Sequence, residues 1–277
     1  MHPARSDHGW QSSLPMYNLT EMRGANAAFW HALKTELQRR GFAGAPPALD
    51  LERRPVPSAI ECNVLFTQVC GYPLQTIFRG QARILGAPIY DAEYCRGATH
   101  AGVFLVHARS SFRRLADLRG CRFVYNSRYS NSGMNLPRLA IAEIADGHAP
   151  FFASVVETHT QPGNIERVAR GDADATCVDC VTYAFFQRHR PSAAAQVRVL
   201  AVTRITPAIP FVTAMATPDD LRLQLQAALT AVARSPEWRN ARAGLMLRDI
   251  IPADIAGYAS QLQCERIATR LGYGELR

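Results

Sequence analysis

A polar segment between a predicted strand and a predicted helix offers the clearest chemistry in this sequence. In "NSRYSNSGMNLPR", residues 126–138, hydroxyl and amide side chains precede a helix that is predicted to start near Ser132. The first N–H groups of a helix lack partners within it and lie at the positive end of its dipole. Ser130 and Asn131 add side-chain donors, and Gly133 lets a ligand approach the backbone closely. The segment can therefore bind a phosphate-like anion without a lysine.

The same segment also suits a purely structural role. Ser132 can cap the helix while Asn126 and Ser127 form a turn, as in many strand-to-helix loops. Neither the GxxxxGK phosphate-binding motif nor GxGxxG occurs nearby, so a nucleotide-binding loop is not predicted. The local sequence leaves the cap and the anion site both open, and Asn126 is kept as a candidate ligand-binding residue.

Other polar residues follow predicted strands, where the ligands of open α/β sheets bind. Tyr17 and Tyr72 can each offer a phenolic hydrogen bond, or pack as partly buried residues. Asp179 can accept a hydrogen bond from a ligand amine or a protonated oxyanion, or cap the next helix. His159 and Gln161 lie in the loop "THTQPG" between a strand and a helix, where a single histidine is more often a surface residue.

Catalytic and metal chemistry has little support in the sequence. Cys177 and Cys180 form a CxxC pair, but no second pair or matching histidines complete a zinc site. Cys177 lies inside a predicted strand, whereas a thioredoxin-type pair is expected at a helix N-terminus, so a redox role is not predicted. No GxSxG elbow or HExxH motif occurs. We therefore expect no catalytic residue, no metal and no cofactor.

The elements that position these residues alternate between strands and helices. Strands are predicted at residues 12–17, 62–69, 82–90, 101–108, 122–125, 153–157, 173–178 and 196–202, from buried or β-rich runs. Helices are predicted at residues 20–42, 133–145, 163–170, 181–188, 218–234, 236–245 and 252–271. This alternation predicts an α/β fold with parallel sheets, followed by a wholly helical tail.

Length and charge set broad limits. A chain of 277 residues with 48% hydrophobic residues can form one or two domains. The net charge of +8 is spread over scattered arginines, so no nucleic-acid partner is expected. The seven cysteines are an odd number and fit reduced thiols. With no signal-like start and no apolar run of membrane length, the chain as written is expected to be cytoplasmic, without membrane insertion, or periplasmic if its start has been trimmed.

Four segments in order resemble the phosphate, phosphite and phosphonate substrate-binding proteins of ABC transporters. In that family a "DLxG" segment and a strand lead to a helix that starts "STSG", with a proline four residues on. Here residues 112–138 supply this element, with "SNSG" at residues 130–133 and Pro137. "SLPMY", "TQVCGYP" and "RGDADATCVDCVTY" are similar to other blocks of a branch without a signal peptide, so the resemblance covers residues 13–215.

The resemblance implies a two-lobed α/β fold of the type 2 periplasmic-binding-protein class, with the ligand in a cleft that closes by a hinge. Lobe one would hold residues 1–104 plus 207–277, and lobe two residues 105–206. The resemblance further implies an oxyanion site whose ligand-binding residues are Ser130, Asn131, Ser132 and Gly133, with Tyr17 and Tyr72 from the facing lobe and Asp179 near the rim.

Two positions depart from the family pattern. Asn131 stands where the family has threonine, which keeps a donor but changes its reach. The family's "GSH" aligns with residues 159–161, so its histidine is either displaced to His159 or replaced by Gln161. We therefore expect a small oxyanion or related metabolite as the ligand, rather than phosphonate specifically.

These observations lead to one main hypothesis and two alternatives. The main hypothesis is a non-catalytic substrate-binding protein for a phosphate- or phosphonate-like oxyanion, with an ABC transporter permease as the implied partner. The first alternative is a cytosolic ligand-sensing module. The second is an enzyme that acts on a small anionic metabolite in the same cleft, since the fold class alone does not decide function.

Overall fold

The computed structural model of this protein describes residues 9–145, 147 and 150–277. Its strands are β1 (Gln11–Ser12), β2 (Val64–Gln68), β3 (Ala82–Tyr90), β4 (Thr99–His100), β5 (Gly102–His107), β6 (Arg122–Tyr125), β7 (Ser154–Glu157), β8 (Ala175–Asp179), β9 (Val197–Val202), β10 (Thr206–Pro207), β11 (Phe211–Ala214) and β12 (Leu247–Ile251). Its α-helices are α1 (Arg23–Arg39), α2 (Gly71–Gln75), α3 (Leu136–Ala142), α4 (Gln161–Arg170), α5 (Cys180–His189), α6 (Pro191–Ala194), α7 (Asp219–Arg234), α8 (Arg239–Gly244) and α9 (Ala259–Arg270). A π-helical turn, Asn131–Asn135, leads directly into α3. The predicted α/β class is confirmed.

The chain forms two compact units. The first contains the residues up to Asp91 together with Ala208–Gly257. The second contains Ala92–Pro207 together with Tyr258–Arg277. Each unit has its own five-stranded sheet. The division into two units agrees with the two-lobed fold class that the sequence indicated.

The first unit is built on a mixed sheet with the strand order β1-β2-β11-β3-β12. Strand β2 runs parallel to β1, whereas β11 is antiparallel to both β2 and β3. Helix α1 buries Phe29 and Trp30 against this sheet. The Phe29 ring stacks on Phe211 at 5.7 Å between centroids, and Phe211 in turn stacks on Phe66 at 5.3 Å. This aromatic layer joins the helix to strands β2 and β11 by burying a large apolar area.

The second unit has the strand order β7-β6-β8-β5-β9. Strand β6 runs parallel to β7 and β8, and β5 runs antiparallel to β8 and β9. The side chains of Val103, Phe104, Leu105 and Val106 in β5 are all buried. Since every residue of this central stretch is apolar, the sheet is covered on both faces. The carboxyl ends of β6 and β7 lead into the loops that precede Asn131 and Gln161, and β8 ends at Asp179, directly before α5.

The C-terminal helix belongs to the second unit. Asn135 donates from Nδ2 to the Gln261 carbonyl oxygen at 2.9 Å, and Arg138 donates from Nη1 to the Gly274 carbonyl oxygen at 2.6 Å. The division predicted from sequence differs here, because it assigned residues 258–277 to lobe one. It also ended the first segment of lobe one at residue 104, whereas the first segment of the first unit ends at Asp91, because all of β5 pairs with β8 and β9 in the second unit.

Two further predictions about secondary structure are wrong. The sheets are mixed rather than parallel, because β5 and β11 each enter their sheet antiparallel to their neighbours. The tail is not wholly helical either, since β12 pairs antiparallel with β3. A register shift between Leu247 and Asp249 interrupts this pairing. The irregularity removes the two-residue alternation of apolar side chains by which strands are recognised.

Candidate functional site

The start of the helical segment after β6 is capped by Ser130. The Ser130 hydroxyl oxygen accepts from the Gly133 N–H at 3.0 Å, and its carbonyl oxygen accepts from the Asn135 N–H at 3.0 Å. The predicted cap was Ser132, so the structure moves this role by two residues. Residues 130–133, here called the helix start, are all buried. Because Ser130 is the cap, the Ser132 hydroxyl does not have this role.

Gly133 allows Asn126 to lie against the helix start. A Cβ atom at Gly133 would come within 2.0 Å of the Asn126 side-chain oxygen, far inside van der Waals contact. That oxygen is buried and has no hydrogen-bond partner among the described residues. Buried polar atoms nearly always have a hydrogen-bond partner. A hydrogen-bond donor of a ligand would therefore be stabilised next to the Asn126 side-chain oxygen.

Gln161 connects the helix start to the end of β8. Its Nε2 donates to the Ser132 hydroxyl oxygen at 3.2 Å, and its Oε1 accepts from the Asp179 backbone N–H at 2.9 Å. Thr160 caps α4 and fixes its first turn, because its hydroxyl oxygen accepts from the Gly163 N–H at 3.2 Å. With Gln161 as its donor, the Ser132 hydroxyl keeps its own proton to donate.

Asp179 is buried and caps α5. One carboxylate oxygen accepts from the Val181 N–H at 2.8 Å and the Thr182 N–H at 3.4 Å, and the other pairs with His100 Nδ1. The helix-cap role considered for Asp179 is thus present in the structure. Burial opposes a charge on His100, but the Asp179 carboxylate outweighs it and raises the pKa of His100 above its ordinary value. The histidine, when protonated, therefore compensates the carboxylate charge inside the unit.

The Asn131 side chain is held within the second unit. Its Nδ2 donates to the Thr206 hydroxyl oxygen at 2.9 Å, and its Oδ1 accepts from Asn135 Nδ2 at 3.0 Å. The residue is fully buried. Both ends of the amide are therefore engaged, and the structure shows Asn131 shaping the helix start.

His159 lies apart from this group. Its side chain is 81% exposed, and its Nδ1 is 3.8 Å from a Glu157 carboxylate oxygen. Its φ of 64° is in the left-handed region, as suits a turn residue. Of the two candidates that aligned with the family's histidine, Gln161 contacts Ser132 and His159 remains a surface residue. The structure thus brings together Asn126, Ser130, Ser132, Gly133, Gln161 and Asp179.

The first unit contains the two remaining candidates, Tyr17 and Tyr72, and both are buried. Strand β1 ends at Ser12, so Tyr17 lies beyond it, where its ring meets Tyr90 edge-on at 5.5 Å between centroids. Gln68 Nε2 donates to the Tyr90 hydroxyl at 3.0 Å. Tyr72 lies in α2. Tyr17 therefore belongs to a buried polar region at the ends of β2 and β3, Tyr72 is buried in α2, and the contact of either with a ligand stays a prediction.

His100 is the residue of this site that the sequence interpretation missed. It ends β4, one residue before Gly102 begins β5, whose first five residues are buried, and it pairs with a carboxylate 79 positions later in the chain. A histidine next to a buried strand, with an aspartate at the end of another, is the only local signal for such a pair. Among the described residues, no group of three or more His, Cys, Asp or Glu side chains is arranged to hold a metal ion.

Comparison of the chain with models of protein families gives a match. The family model described as "ABC transporter, phosphonate, periplasmic substrate-binding protein" matches residues 79–258, well over half of the chain. No curated protein matches the sequence significantly.

Solved structures show the same fold at low sequence identity. A binding protein component of an ABC phosphonate transporter from Pseudomonas aeruginosa superposes with a TM-score of 0.74 at 14% identity, covering 96% of this chain and 88% of that one. PhnD1 from Prochlorococcus marinus, solved with methylphosphonate, gives 0.68 at 12% identity over 94% and 98% of the two chains. A Xanthomonas citri protein bound to chloride ion gives 0.69 at 13% identity over 95% and 98%. The Pseudomonas aeruginosa neighbour is a binding protein component with the two-lobed fold, and this confirms the predicted fold class.

Proposed function

Since the chain belongs to the family of periplasmic substrate-binding proteins of phosphonate ABC transporters, we propose that it binds a small phosphorus oxyanion at the helix start and serves a transporter permease. Proteins of this family are transport components rather than enzymes and are normally periplasmic. Within the described part of the chain, no helix is long and apolar enough to span a membrane. The class of function is inferred from the family, and the helix start is the proposed binding site.

The hydrogen bond from Gln161 to Ser132 carries this proposal. Because Gln161 Nε2 donates to the Ser132 oxygen, the hydroxyl proton is left for an acceptor of another molecule. An anion oxygen is the strongest such acceptor, since a hydrogen bond to a charged group is stronger than a neutral one. The N-terminus of the helical segment 131–142 adds a favourable dipole at the same place.

The local charge balance also supports an anionic ligand. An unpaired buried carboxylate at Asp179 would repel an anion bound nearby. His100 pairs with Asp179 and, with its raised pKa, compensates that charge. The Gln161 contact to the Asp179 backbone therefore links the helix start to a charge-compensated pair.

Asn126 supports a ligand that is still protonated. Its unpaired side-chain oxygen can only accept a hydrogen bond, so it favours a ligand that carries a hydroxyl next to its anionic oxygens. Hydrogen phosphate and a phosphonate monoanion both have this combination. The chemistry favours this ligand class without choosing among its members.

The test is isothermal titration calorimetry with phosphate, phosphite and methylphosphonate. We expect one of them to bind the wild-type protein, and Ser132→Ala to weaken that affinity at least tenfold, because a hydrogen bond to a charged group contributes about 1.5–3 kcal/mol. Ser192→Ala, at an exposed position of α6, is the matched control and should bind like wild type. Tyr72→Phe tests the prediction for the first unit.

Two results would count against the proposal. One is that none of the three anions binds to the wild-type protein, while cooperative unfolding shows that this protein is folded. The other is unchanged affinity in Ser132→Ala, which would move the ligand away from the helix start.

The residues available to an enzyme in this region are poorly suited to catalysis. The hydrogen bond with Cys95, burial and the nearby Asp179 carboxylate all raise the pKa of the Cys180 thiol above its ordinary value, which disfavours the nucleophilic thiolate. His159 is on the surface. A cytosolic sensor would use the same binding step, so the titration applies to that alternative as well.

A further inference from the structure

Two cysteines that are distant in sequence lie side by side in the second unit. The Sγ atoms of Cys95 and Cys180 are 3.6 Å apart, although 85 positions separate the residues. Cys95 lies in the segment between β3 and β4, and Cys180 is the first residue of α5. Cys95 is partly exposed, whereas Cys180 is buried. One thiol of the pair is thus open to a reagent in solution.

The pair differs from the CxxC motif in the sequence. Cys177, the other member of that motif, lies in β8 and is fully buried. Its Sγ is packed so tightly against Gly102 that a Cβ there would come within 2.9 Å of it. The structure thus places Cys95 beside Cys180 as a thiol partner, which spacing along the chain does not reveal.

We propose that Cys95 and Cys180 are a site of reversible oxidation that closes to an intramolecular disulfide on reaction with a small-molecule disulfide. A disulfide bond is about 2.05 Å long, so the sulfurs must approach each other by about 1.5 Å. Cys95 can supply this movement, because it lies in a connecting segment rather than in a strand or helix. The reaction does not involve the Ser132 hydroxyl and needs no bound anion, although Cys180 directly follows Asp179.

The reaction is thiol–disulfide exchange, in which atoms and electrons balance. The Cys95 sulfur, as thiolate, attacks one sulfur of the small disulfide, and one small thiol leaves with the proton that Cys95 gave up. The Cys180 thiol then loses its proton, its sulfur attacks Cys95 Sγ, and a second small thiol leaves. Two protein thiols are oxidised and one small disulfide is reduced to two thiols.

The order of attack follows from exposure and acidity. Cys95 is the accessible sulfur, and Cys180 is the buried one, with a pKa raised first by its hydrogen bond with Cys95 and then by burial and the Asp179 charge. Cys180 therefore acts as the resolving thiol, and its attack is the slower step because little thiolate is present.

The experiment treats the purified full chain with oxidised glutathione, followed by alkylation, intact mass spectrometry and peptide mapping. We expect two fewer alkylated thiols, a loss of two hydrogens in mass, and a linked peptide containing Cys95 and Cys180. Dithiothreitol should restore all the thiols.

Three variants make the assignment specific. Cys95→Ser and Cys180→Ser should each abolish the link, and Cys95→Ser is the safer substitution because its site is only partly buried. Cys62→Ser removes an exposed thiol elsewhere and should leave the link intact. Far-UV circular dichroism checks that each variant is folded. A link between Cys177 and Cys180, or retention of every thiol in folded wild-type protein, would overturn the proposal.

Discussion

Gln161 donates from Nε2 to the hydroxyl oxygen of Ser132 at 3.2 Å, while its Oε1 accepts from the Asp179 backbone N–H at 2.9 Å. One side chain thus sets the orientation of a hydroxyl on the helix start and the end of β8 at once. Only an amide can make both contacts at once, because a carboxylate can accept from the Asp179 N–H but has no proton to donate to Ser132. This relationship makes Gln161 the most informative residue to change.

Gln161→Glu should weaken binding of the anion that the titration identifies by more than tenfold. The new carboxylate can keep the contact to the Asp179 N–H, but it would draw the Ser132 proton to itself and repel an anion. Calorimetry measures the change. Gln263→Glu, at an exposed position of α9, adds the same charge and should alter affinity little. Equal affinity in Gln161→Glu and wild type would show that Ser132 does not donate to the ligand.

His100 predicts a pH dependence of stability. Its pKa is raised in the folded protein, so its stabilising effect is fully present below its ordinary pKa and is lost as the pH rises through the folded value. We expect the free energy of unfolding in urea to fall from pH 6.5 upward. His100→Asn should reduce this slope, whereas His159→Asn, at an exposed turn, should keep it. If the free energy of unfolding of His100→Asn depended on pH as steeply as that of the wild-type protein, a group other than His100 would be responsible.

Gly133→Ala should destabilise the second unit. The added Cβ would lie within 2.0 Å of the Asn126 oxygen, and overpacking of this kind costs about 1–3 kcal/mol. The double variant Gly133→Ala with Asn126→Ala should recover part of that loss. Gly24→Ala in α1 is the control, because a Cβ there meets nothing within 4 Å. Urea unfolding gives all of these values, and an unchanged midpoint in Gly133→Ala would contradict the close approach.

Asn135→Ala should loosen the contact between the π-helical turn and the C-terminal helix. Asn135 donates to Asn131 Oδ1 and to the Gln261 carbonyl oxygen, and it accepts from Arg138. Loss of this buried network should cost about 2–3 kcal/mol, since its partners are left unpaired. Hydrogen exchange should then speed up in α9. Asn240→Ala, exposed on α8, should have little effect on exchange in α9.

The repetition of strands and helices was readable from the sequence because burial imposes a period on apolar residues. Strand β3 matches the predicted range of residues 82–90, and β5 lies within the range predicted for it. The direction of each strand was not readable, because it depends on which distant strands become neighbours. Strand β11 is an example, since it enters between β2 and β3 only after the whole second-unit sheet has been passed.

The candidate site was predicted in part for a similar reason. A strand, a polar loop and a helix in succession pointed to Ser130 and Ser132, since local order alone places them together. The roles of Gln161 and His100 depend on contacts across 29 and 79 positions, which no local pattern specifies. The sequence therefore indicated which segments carry the polar groups, while the structure shows which of these groups form hydrogen bonds with each other.

The two sheets become complete at different times during synthesis. All the strands of the second-unit sheet lie within residues 102–202, so they are available once that part of the chain has left the ribosome. The first-unit sheet has to wait for β11 and β12, which end at Ile251. Strand β1 can pair with β2, but β2 and β3 lack the strand β11 that lies between them while the later unit is made. The amino-terminal part of this protein is consequently the part most in need of protection from aggregation while it is being translated.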